Sequence, residues 1–130
     1  MEKGFTILTN NPLVMEKLGE EYHIEYSDIS YEDILIKARD CIYRGHALLS
    51  HPLSGSVKPN ETPYKSIMIS VGRSQLDQQS VEVIESAIAA CRKFEKKYEL
   101  YAQFRPEVFA DFQLVDFTLI DSAIGSVVAW

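Results

Sequence analysis

Phe5–Val14 reads Phe-Thr-Ile-Leu-Thr-Asn-Asn-Pro-Leu-Val. The first five residues form a short apolar run of the kind a buried strand uses. Asn11 is a good helix N-cap and Pro12 a good first helical residue. Leu13, Val14 and Leu18 continue the pattern as a helix over Pro12–Gly19. A strand followed at once by a capped helix opens a βα unit.

Outward from there the alternation repeats. His23–Ser27 reads as a second strand. Ser30 caps a helix whose stripe is Ile34, Ala38, Cys41 and Ile42, with Glu32 and Asp33 in the first turn. Gly45 suits the C′ position of that helix. His46–Ser50 reads as a third strand. The order β-α-β-α-β favours right-handed crossovers and a parallel sheet. Ser66–Val71 supplies a fourth strand whose direction stays open. A helix from about Asp77 to Tyr98 follows. Pro106–Val128 reads as a long helix that is apolar on several sides, with a strand through Phe112–Ile120 as the weaker alternative. The expected fold is one α/β domain over residues 1–130. It is a small Rossmann-like three-layer domain, with a mainly parallel four-stranded sheet flanked by helices and a long apolar C-terminal helix.

Composition narrows the function. The chain has 130 residues, 46% hydrophobic and 25% charged, which suits one soluble domain. A net charge of −6 argues against non-specific nucleic-acid binding, which needs a basic surface. A local cationic site around Lys58, Lys65 and Arg73 stays open. The two cysteines, Cys41 and Cys91, form no CxxC pair, and the three histidines lack zinc-site spacing, so no metal site is expected. The residues identify no cofactor. No secretory signal is visible, and Asp111, Asp116 and Asp121 interrupt the longest apolar region, so a membrane span is not expected and the reading is cytoplasmic. The apolar 106–128 helix fits either a homodimer contact or a central place in the monomer.

The candidate site lies between strands. In open α/β sheets ligands bind at the strand C-termini. Asn10 and Asn11 follow the first strand, and a long polar segment, His51–Lys65, follows the third. Three prolines restrict that segment, and long ordered loops are often functional. Ser54, Gly55 and Ser56 can form a turn whose N–H groups converge on an anion, with Lys58 beside it. Asn60 and Thr62 can orient a polar ligand, and Arg73 joins them if the fourth strand is parallel. If the first and third strands are neighbours, Asn10, Asn11 and His51 approach one another. His46 would lie at the opposite edge, as a structural residue. The plain alternative is a surface turn with local capping by Asn60 and Thr62.

Two strings carry a family resemblance. Thr9-Asn10-Asn11-Pro12-Leu13-Val14 and His51-Pro52-Leu53-Ser54-Gly55-Ser56-Val57-Lys58-Pro59-Asn60-Glu61-Thr62-Pro63-Tyr64 resemble the GrdX family. These are small proteins associated with the glycine, sarcosine and betaine reductase system of anaerobic amino-acid-fermenting bacteria. The resemblance spans nearly the whole chain. It implies an accessory role and reductase subunits as partners. It carries over no catalytic residue.

Three functions follow as expectations. The first is binding of a small anionic metabolite or nucleotide at Asn10, Asn11 and the Ser54–Lys58 turn. The second is an interaction or assembly role, with Leu53 and Tyr64 as contact anchors. The third is a small enzyme with His51 as general acid or base and Glu61 as its orienter. In that case Ser54 or Ser56 is the nucleophile only if His51 reaches it.

Overall fold

The computed structural model describes residues 4–53, 62–93, 101 and 103–128. Its elements are β1 (Phe5–Thr9), α1 (Pro12–Leu18), β2 (His23–Tyr26), α2 (Tyr31–Tyr43), β3 (Ser66–Ser70), α3 (Gln78–Lys93) and α4 (Pro106–Val128). The strand order is β2-β1-β3. β2 lies parallel to β1, with Thr6 opposite His23 and Thr9 opposite Tyr26. β3 lies antiparallel to β1, with Phe5 opposite Ser70 and Thr9 opposite Ser66.

The local chemistry explains the elements. Asn11 caps α1 and Pro12 opens it, while Ser30 caps α2 by accepting from the Asp33 amide. Gly45 ends α2 at a φ of 105°. A Cβ there would stand 2.5 Å from the Ser74 carbonyl oxygen, so the site needs glycine for space as well as conformation.

Both faces of the sheet are covered. Leu8, Ile67 and Ile69 pack against Ile34, Leu35, Ala38 and Ile42 of α2 and Ile84, Ala87 and Ile88 of α3. Ile7 and Met68 point the other way, onto Val14 and Leu18 of α1 and Ile120 and Ile124 of α4. Period-two alternation thus feeds two cores, and β1 and β3 read as continuous apolar runs. α4 is helical through Phe112–Ile120, so the strand alternative fails there. Its Leu114 and Val115 stay exposed, whereas Asp116, Ile120 and Ile124 are buried. Among the described residues, no helix is long and apolar enough to cross a membrane.

The mainly parallel, four-stranded Rossmann-like sheet is not what forms. Three strands pair, one parallel and one antiparallel to the central β1. The expected third strand, His46–Ser50, runs along the far edge of β3 and makes one isolated antiparallel bridge, Leu48 to Ile69. The reason lies in its hydroxyl partners. Leu49 N donates to Met68 O and Ser70 N to Ala47 O. The neighbouring amides instead go to serine side chains: Ala47 N to Ser70 Oγ, Leu48 N to Ser80 Oγ, and Met68 N to Ser50 Oγ. Side-chain acceptors replace the carbonyls that would extend the ladder. The place beside β1 goes to Ser66–Ser70, which arrives from the opposite direction.

Candidate functional site

Antiparallel β3 divides the expected site residues. Its first residue, Ser66, pairs with Thr9 at the C-terminal end of β1, and its last, Ser70, pairs with Phe5. Arg73 follows Ser70 and is exposed at the far edge, away from Asn10 and Asn11. His46 lies at that same far edge, its Nδ1 2.8 Å from Ser70 O. His51 stands beside α3. It lines a cleft of about 230 Å³ with Ser50, Asp77 and Ser80, and a second of about 400 Å³ with Leu53, Glu82 and Ala90. Its Nδ1 accepts from the Leu53 amide at 3.1 Å. Ser54, Gly55, Ser56, Lys58, Asn60 and Glu61, and with them the expected turn and the His51–Glu61 pairing, lie outside the described residues.

Asn10 and Asn11 are at the strand end, as their position in sequence requires, but their side chains face inward. Asn10 Nδ2 donates to Ile29 O and Pro63 O, at 2.9 and 2.8 Å. Its Oδ1 accepts from the Lys65 amide at 2.8 Å. Asn11 Oδ1 accepts from Leu13 N, capping α1. Its Nδ2 donates to Gln113 O and to Asp116 Oδ2, at 2.9 and 3.0 Å. Both amides join chain segments and have no donor left for a ligand.

These bonds assemble a buried polar cluster between the sheet edge and α4. Asp116 Oδ1 accepts from Ser66 N at 3.1 Å, and Oδ2 from Ser66 Oγ at 2.7 Å. Thr9 Oγ1 lies 2.6 Å from Ser66 Oγ and accepts from Asn11 N. Beside the cluster is a hollow of about 20 Å³, lined by Tyr31, Thr62, Tyr64, Lys65, Phe112, Val115, Asp116 and Leu119. That is room for roughly one water molecule. Val115 is 41% exposed, which places the hollow just beneath the surface.

Lys65 is the unusual member. Only 6% of its surface is exposed. Its ammonium lies 5.8 Å from the centroid of the Tyr31 ring, a cation–π contact, and makes no hydrogen bond or ion pair among the described residues. Burial pushes its pKa below 10.5, and the Asp116 carboxylate only partly opposes this. Burial, with smaller contributions from Cys91, Asp116 and Tyr101, pushes the Tyr31 hydroxyl far above its ordinary value, so it stays protonated. Among the described residues, Thr62 is the one expected ligand residue that lines the hollow. Its hydroxyl accepts from Tyr64 N at 3.2 Å.

The site reading from sequence missed Tyr31 and Asp116 and used Lys65 only as part of a general positive region. One signal was available. Asp116 stands among Phe112, Val115, Phe117, Leu119 and Ile120, where a carboxylate is expensive unless it binds something. Its partners are distant in the chain, and nothing in the local pattern names them.

Among the described residues no group of three or more His, Cys, Asp or Glu could hold a metal ion. Comparison with curated proteins and with solved structures gives no match. A family model described as GrdX-like protein matches residues 6–125. That range includes β1 from Thr6 onward, the Asn10–Asn11 corner, Lys65 and Asp116, and the chain belongs to the GrdX-like protein family.

Proposed function

We propose that the chain is an accessory protein of the glycine, sarcosine and betaine reductase system, and that it binds a small anion at the C-terminal edge of β1. The family assignment supports the first half. The observation that carries the second is Lys65, 6% exposed, which lines a small hollow and whose ammonium makes no hydrogen bond among the described residues. A cation on a buried side chain, held by one cation–π contact and no hydrogen bond among the described residues, is costly, and an anion beside it offsets that cost. The hollow is small, so only the charged end of a ligand enters it, and the rest lies over Val115 toward solvent.

Two-dimensional NMR with glycolate, a two-carbon carboxylate, tests this reading. Saturable shifts are expected at the Tyr31, Thr62, Lys65 and Asp116 amides. They should vanish in Lys65→Met and persist, weakened, in Lys65→Arg, which keeps the charge. The absence of saturable shifts in the wild-type protein would remove the anion site and direct attention to reductase subunits as partners.

A further inference from the structure

We propose that Lys65 is a nucleophilic amine, and that the hollow it shares with Asp116 takes a small carbonyl compound, an aldehyde or 2-oxo acid, as a reversible imine. The inference deepens the anion-site reading and relies on it for the position of the site. Three observations meet here. The Lys65 side chain is buried and lacks hydrogen bonds among the described residues. It opens on a hollow too small for a bulky ligand but large enough for a carbonyl group. A carboxylate lines the same hollow. Asp116 uses three of roughly four acceptor sites on Ser66 and Asn11. The remaining one, on Oδ1, can take a proton.

A lysine in a desolvated pocket has a larger neutral fraction, and the neutral amine is the nucleophile. Its nitrogen adds to the carbonyl carbon, and the C=O electron pair moves to oxygen, which is protonated. The carbinolamine then loses water as the nitrogen gives up its second proton. Amine and carbonyl become imine and water, with no change in oxidation state. Water carries the protons in these steps, with the Asp116 carboxylate in the lining of the same hollow. Tyr31, Phe112 and Leu119 line the hollow with largely apolar surface, which limits the water that would reverse the condensation.

Glyoxylate is the smallest 2-oxo acid and serves as probe, with cyanoborohydride to reduce any imine to a stable secondary amine. Peptide mapping then locates each carboxymethyl group. Lys65 is expected to label several-fold faster than the exposed Lys17 and Lys93, because burial leaves more of its amine neutral. Glycolate should slow the labelling at Lys65 alone. If Lys65 labels no faster than Lys17 while glycolate still shifts the site, the imine is overturned and the anion site stands. If neither occurs, both fall. Fast labelling that glycolate does not affect keeps the reactive amine and removes the anion site.

Discussion

Asn11 Nδ2 and Asp116 Oδ2 are 3.0 Å apart, although 105 residues separate them in the chain. Through this bond the start of α1 is tied to the middle of α4. Ser66 joins both to β3 through its amide and hydroxyl contacts with Asp116. One carboxylate thus secures three elements on the same face of the sheet.

Asn11→Ala removes the α1 cap and leaves Gln113 O and Asp116 Oδ2 short of a donor. The expected loss is about 3 kcal/mol in urea denaturation. Asn11→Asp retains a capping oxygen but sets a second carboxylate against Asp116. It should be at least as destabilising at neutral pH in the same measurement, because two carboxylates then share one buried site.

Lys65→Met replaces a buried ammonium with an apolar side chain of similar length. At pH 7 the variant should be more stable than wild type by about 1 kcal/mol, because the desolvation penalty outweighs one cation–π contact. The pH dependence follows from the lowered pKa of Lys65. Between its folded value and 10.5 the unfolded chain binds more protons, so wild-type stability rises with pH. The advantage of Lys65→Met should narrow through that window. Both proteins carry Tyr31, so its titration above pH 10 cancels in the difference. A difference that stays constant from pH 7 to 10 would contradict the assignment.

Gly45→Ala forces a side chain onto a φ of 105° and against the Ser74 carbonyl. The expected cost is about 2–3 kcal/mol. Hydrogen exchange should quicken at Leu49 and Ser70, whose amides bind across from the 46–50 segment to β3.

Asn10→Ala cuts the links from β1 to Ile29, Pro63 and the Lys65 amide. A loss of about 2 kcal/mol is expected. The more specific readout is the glycolate titration, which should weaken because the backbone that positions Lys65 is no longer held.

The local signals in the chain translated well into elements. Asn11 and Pro12 opened a helix, Ser30 capped one and Gly45 closed one. Helical spacing located the face of α2, with Ile34, Ala38 and Ile42 buried. Pairing was less legible. An apolar run such as Ser66–Ser70 is the same whether its neighbour is parallel or antiparallel, because two covered faces erase the alternation. His46–Ser50 has strand-like residues, but the hydroxyls of Ser70 and Ser50 accept the Ala47 and Met68 amides that a ladder would use. At the site, Asn10 and Asn11 follow β1, and their side chains bind other chain segments. Their bonding partners are at residues 63, 65, 113 and 116, and no local pattern reports contacts at such separations.

The bond between Asn11 and Asp116 also bears on synthesis. β1 and the α1 cap leave the ribosome long before α4 exists, and β3 is made in between. Until α4 emerges, Ser66 Oγ and Asn11 Nδ2 lack the Asp116 carboxylate they bind in the finished fold, and the Ile7–Met68 face of the sheet lacks its α4 cover. The face built from α2 and α3 is complete earlier. A nascent chain stopped before Asp116 would therefore hold one finished core and one open one. Such a half-finished chain is a natural substrate for chaperones and proteases.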